Sequence, residues 1–120
     1  MASNKPEELR ERTKRFAIAV VILLRKLPFT PETKVVRYQL VKACTSVAAN
    51  YRAVCRARSK AEFIAKIGVV LEDADESAFW LEFIIETELL PVLEVTPHLN
   101  EANELVAIFS SSQRTARGER

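Results

Sequence analysis

The sequence predicts an all-α protein: an up-down-up-down antiparallel four-helix bundle that assembles as a homo-oligomer. Three observations carry the fold. Apolar side chains recur at alternating steps of three and four, the period of one helical face. Proline-marked breaks divide the chain into four long segments, and the short connections between them force neighbouring helices to run antiparallel. Only 2 glycines occur in 120 residues, too few for a turn-rich β architecture.

The first helix is expected over residues 6–27. Pro6 suits its first position, Glu7 and Glu8 suit the positive end of its dipole, and Pro28 stops it. The second spans 31–58, capped by Thr30 with Pro31 at its first position. Its stripe reads Val36, Leu40, Ala43, Val47, Asn50 and Val54. The third spans 60–90. Ser59 to Glu62 reads as a capping box, and Pro91 ends the helix. Its stripe runs Ile64, Ile67, Leu71, Ala74, Ala78, Leu81 and Ile85. An apolar loop, Val92 to Val95, leads to a second Thr-Pro start at Thr96–Pro97. The fourth helix covers 97–115 with Leu99, Ala102, Val106 and Phe109 as its stripe and Leu105 beside it, and the tail Ala116 to Arg120 is expected to fray.

Residues 1–120 suit one domain, large enough to fold without disulfide or metal. The 48% hydrophobic and 28% charged content exclude a disordered chain. The scarcity of glycine excludes a phosphate-cradling loop, and a single histidine, His98, removes most metal and nucleophile–base constellations. A di-iron bundle needs Glu-x-x-His on two helices, and that pattern is missing from the sequence. A paired-carboxylate site on Glu72 and Glu76 lacks a base or metal-ligand set beside it. The expectation is a protein that is not an enzyme and takes no cofactor. Cys44 and Cys55 lie about 16 Å apart along one helix, so they cannot bridge and read as small buried thiols of a reducing compartment. The apolar run Phe16 to Leu24 lacks a cleavage pattern and is far too short to span a bilayer, which points to a cytoplasmic protein without a membrane partner.

Three features exceed what a bundle requires. The run Phe16 to Leu24 is apolar on every side, and no loop is long enough to cover it. It therefore reads as a subunit interface built on Phe16, Val20, Ile22 and Leu23, with Phe79, Trp80 and Phe83 of the third helix lining the same contact. Charge is segregated: residues 1–29 carry +4, 30–60 carry +6, 61–90 carry −7 and 91–120 carry −1, within a total of +2. Such helices can steer one another's packing, or they can meet an anion. Arg52, Arg56, Arg58 and Lys60 cluster at the end of the second helix, and Arg10, Arg12, Lys14 and Arg15 on the first. Phosphate contacts are expected from Arg52, Arg56, Arg58 and Lys60, helped by Arg12 and Arg15. Finally, Asn50 lies on a core stripe and needs a polar partner; Glu72 and Glu76 are the expected ones, in a structural role.

The stretch Leu40 to Leu90 has a familiar order of motifs. These are Thr45-Ser46-Val47-Ala48-Ala49-Asn50, then Glu62-Phe63-Ile64, then Glu72 to Glu76 followed by Trp80-Leu81-Glu82. Glu104-Leu105, Ile108-Phe109 and Ser112 extend it into the last helix. The sequence resembles the four helix bundle protein family, also called the 23S rRNA-intervening sequence protein family. That resemblance implies a small bacterial bundle that assembles as a homopentamer, some members being encoded within intervening sequences of 23S ribosomal RNA genes. A related accessory protein of diversity-generating retroelements binds nucleic acid and a reverse transcriptase through a basic surface. Many members read Asn-Ile-Ala-Glu-Gly where this chain has Asn50 to Val54, so this surface is more positive here. The leading expectation is therefore a non-catalytic, oligomeric bundle binding RNA or other nucleic acid. The alternative is an interaction scaffold docking an acidic protein partner such as a reverse transcriptase.

Overall fold

A computed structural model describes residues 5–119, which form four α-helices and no strand. They are α1 (Pro6–Leu24), α2 (Pro31–Val54), α3 (Lys60–Glu86) and α4 (Val92–Ala116). Consecutive helices pack side by side, and α4 returns against α1 more thinly. The backbones of the diagonal pairs α1–α3 and α2–α4 stay apart, which gives a four-cornered bundle measuring 45 × 27 × 22 Å.

Helix starts follow local chemistry. Thr30 and Thr33 form a reciprocal capping box ahead of Pro31: the Thr30 hydroxyl accepts from Thr33 N and the Thr33 hydroxyl from Thr30 N. At α3 only half of the expected box forms. Ser59 Oγ accepts from Glu62 N at 3.0 Å, but the Glu62 carboxylate takes Arg58 N instead of the cap's own N–H.

The ends differ from expectation by about a turn. Residues 25–27 and 56–57 continue α1 and α2 as tight i→i−3 turns rather than as α-helix. α3 stops at Glu86 because Glu88 adopts φ 58°; Glu88 N reaches Ile85 O and Leu89 N reaches Ile84 O, a Schellman closure. α4 closes in the same way at Gly118, φ 81°, with Glu119 N donating to Arg114 O at 2.9 Å. The tail through Glu119 is thus a defined cap and not frayed, while Arg120 lies outside the described residues.

The largest correction concerns α4. Val92 to Val95 is its first turn, not a loop, and Pro97 sits inside the helix. The Thr96 hydroxyl donates back to Val92 O at 2.7 Å and so does not act as an N-cap. Pro97 removes one intrahelical N–H near the start, leaving the carbonyl of the highly exposed Leu93 open to water.

The core is continuous through all four helices, centred on Val20, Leu40, Val47, Leu81, Leu105 and Phe109, none of them measurably exposed. In α2 the stripe passes through Tyr51, whose ring lies 5.6 Å from that of Phe109, and not through Asn50. In α3 it runs through Val70 and Ile84, leaving Ile64, Leu71 and Ile85 half-buried. In α4 Val95 and Leu105 hold the buried positions, with Leu99 and Val106 at the margin. Gly68 serves close packing: a Cβ there would meet Gln113 Nε2 at 2.9 Å, and that amide donates to Ile64 O across the α3–α4 seam.

Candidate nucleic-acid interface

The antiparallel α1–α2 pair sets the start of α1 beside the end of α2. Arg10 thereby meets Arg52 and Arg56, and the three side chains alone line a notch of about 200 Å³. All three are exposed. Arg52 and Arg56 are one turn apart, and like charges at that spacing cost about 0.2–0.5 kcal/mol in a helix. Lower along the same seam the side chains become small. Ala17, Ala48 and Ala49, with Ile18, floor a groove of about 360 Å³ that shares Arg10 and Arg52 with the notch and adds Lys14 to its rim. Behind it, the hydroxyl of Tyr51 meets the Cys55 thiol; burial pushes that hydroxyl well above its usual range, so the phenol stays neutral beside the arginines.

This arrangement splits the predicted basic residues into two groups. Arg52 and Arg56 lie in the notch, with Arg58 and Lys60 exposed in the following turn at the same end of the bundle. Arg12 lies elsewhere. Its guanidinium donates through Nε and Nη2 to both carboxylate oxygens of Glu101 at 2.7 Å, and again to Glu104 at 3.0 Å. Arg12 is therefore a clasp between α1 and α4, its guanidinium taken up by two carboxylates. Arg15 is exposed on that same side, where it lines a hollow of about 300 Å³ with Arg12, Phe16, Pro97, His98 and Glu101. Burial, with Lys26 nearby, holds His98 below its usual range. The residues that take Arg12's place beside α2 are Arg10 and Lys14. The signal was present in the spacing: at about 100° per residue, position 12 lies about 200° around the helix from position 10, whereas position 14 lies almost above it.

The apolar girth of α1 is mostly internal. Phe16, Val20 and Leu23 are buried in this chain's own core because α2 and α4 flank α1 on two sides, so they are not available to a second subunit. What remains outside is a two-residue ridge, Ile18 and Ile22, each about half exposed at 50% and 49%. Phe79, Trp80 and Phe83 form a mutually packed aromatic cluster on α3; Phe79 is exposed and the other two half-buried. Because α1 and α3 occupy opposite corners, the ridge and the cluster lie on different sides of the bundle.

The polar partner of Asn50 is also corrected. Asn50 is half-buried, and its Nδ2 donates to Asp73 Oδ2 at 2.9 Å, while Glu72 and Glu76 point to solvent. Asp73 rather than Glu72 or Glu76 meets it because Asp73 turns toward α2; Glu76 instead accepts from Trp80 Nε1. Burial raises the Asp73 carboxyl above its usual range; the Asn50 hydrogen bond opposes this and the neighbouring Glu76 and Glu72 reinforce it. Among the described residues no group of three or more His, Cys, Asp or Glu side chains could hold a metal ion, and no helix is long and apolar enough to cross a membrane.

Comparison with known proteins places this geometry in context. The family model described as 23S rRNA-intervening sequence protein matches residues 7–111. Among solved structures, a protein of unknown function from the S23 ribosomal protein family of Bacteroides thetaiotaomicron superposes with a TM-score of 0.79 at 28% identity, covering 88% of this chain and 98% of that one. No curated protein matches the chain.

Proposed function

The chain belongs to the 23S rRNA-intervening sequence protein family, and from that premise we propose that it is a non-catalytic, self-associating bundle that binds RNA through the arginines of the α1–α2 seam. The observation that carries this reading is the notch lined solely by Arg10, Arg52 and Arg56. Three exposed guanidiniums held together without a carboxylate among them keep a local repulsion that a phosphate relieves. Each can donate two parallel hydrogen bonds to phosphate oxygens. Arg58 and Lys60 extend the positive surface around the end of the bundle. Recognition of this kind is electrostatic and weakly dependent on sequence.

Self-association uses two surfaces at opposite corners: Ile22 on α1 and the Phe79–Trp80–Phe83 cluster on α3. A contact joining the α1 corner of one copy to the α3 corner of the next is heterologous, and such contacts form a ring when the rotation between copies closes. The expected ring is a homopentamer. It brings several copies of the notch into one assembly.

A filter-binding titration of single-stranded RNA across salt concentrations tests the reading. The logarithm of the affinity is expected to fall steeply and linearly with the logarithm of salt concentration. Removing Arg52 and Arg56 together should lower that slope by about 1–2. Affinity undetectable even at low ionic strength contradicts the reading.

A further inference from the structure

We infer that the α1–α2 groove is a pocket for one unstacked nucleotide, which makes the protein selective for single strands and for bases that carry an exocyclic amino group. The inference rests on the RNA-binding reading above and names what the pocket beside the phosphate notch accepts.

The groove and notch are different in kind. The notch is all guanidinium. The groove has an apolar floor of Ala17, Ile18, Ala48 and Ala49 and a volume of about 360 Å³, within the range of roughly 300–1,000 Å³ typical of small-ligand sites. They share Arg10 and Arg52, so an anionic site and an apolar slot adjoin as phosphate and base do in a nucleotide. A duplex cannot use the slot, because its bases are stacked inside and it presents phosphates and sugar edges. An unpaired strand can place a phosphate on the arginines and lay the next base on the alanines.

The remaining lining decides which base. Glu11 contributes a carboxylate, which only accepts hydrogen bonds. Thr45 contributes a hydroxyl whose proton is already donated to Val41 O at 2.6 Å, so its oxygen is left as an acceptor. Lys14, the other polar group of the lining, lies one turn from Arg10 on the same helix face and adds its charge to the phosphate side; Glu11 and Thr45 are left as the acceptors for a base edge, which favours donors there. Adenine and cytosine carry an exocyclic amino group there, whereas uracil presents a carbonyl at the same position.

Fluorescence anisotropy with labelled oligoadenylate, oligocytidylate, oligouridylate and a duplex of equal length tests the pocket. The adenylate and cytidylate strands should bind roughly fivefold more tightly than the uridylate strand and the duplex. Ala49→Phe fills the groove from an exposed position and should erase the preference while leaving salt-dependent duplex binding. Glu11→Gln, on an exposed position that does not touch the core, should weaken it without a change in thermal melting. Equal wild-type affinity for all four probes overturns the pocket but leaves the phosphate-binding reading standing; no binding to any probe overturns both. If Ala49→Phe instead lowers the particle mass in light scattering and leaves the base preference intact, the groove belongs to the acidic α3 of a second copy, and the inference fails.

Discussion

Glu88 adopts the left-handed conformation at the end of α3, φ 58°, where an L-residue with a side chain is disfavoured by about 1–2 kcal/mol. Glycine relieves this but loses more freedom on folding. The net expectation for Glu88→Gly is a gain of about 0.5–1 kcal/mol, read as a rise of a few degrees in Tm. Asp73 gives a second test at this scale. Its carboxyl is raised in the folded state, chiefly by burial. Between the unfolded and folded pKa values the native state therefore binds more protons than the unfolded one, and stability falls as pH rises through that window. Asp73→Asn keeps an acceptor for Asn50 Nδ2 and should flatten this dependence in melts taken from acid to neutral pH. Neither position announces itself in the sequence. A carboxylate three residues before a proline gives no sign of a positive φ, and choosing among Glu72, Asp73 and Glu76 requires knowing how α3 is rotated against α2.

At the level of the helix, periodicity located all four elements but not their rotation. The α2 stripe departs from the expected one only at Asn50, where Tyr51 is buried, and the α3 stripe at Leu71 and Ile85, where Val70 and Ile84 are; neighbouring residues offer two candidates, and only packing chooses between them. In α4 the Thr-Pro signal at Thr96–Pro97 imitated the true cap at Thr30–Pro31. Tertiary packing of Val95, not measurably exposed, extended the helix back through that proline. α1 carries the clearest consequence. Val20→Asp places a charge in the bundle's own core and should cost about 3–5 kcal/mol, seen as lost helicity at physiological temperature. Ile22→Asp, on the outer ridge, should leave the melt nearly unchanged while lowering the particle mass in sedimentation. A folded Val20→Asp variant would contradict the placement of α1. An Ile22→Asp variant of wild-type mass would contradict the proposed self-contact.

Across the whole molecule, the charge segregation was legible from the sequence alone: the first two helical segments are strongly basic and the third strongly acidic. Its three-dimensional meaning was not, because one helix can turn its arginines to two neighbours. Arg12 faces α4 and its acidic clasp, whereas Arg10 and Lys14 face α2 and the groove lined by Ala17, Ala48 and Ala49. The claim on which the account depends is that nucleic acid contacts the α1–α2 seam. Ultraviolet crosslinking of the intact protein to single-stranded RNA, followed by mass mapping of the crosslinked peptides, locates that contact directly. The account predicts adducts confined to peptides containing residues 10–18 and 45–56. Adducts concentrated instead on α3 and α4, the stretch around Glu101 included, would contradict it.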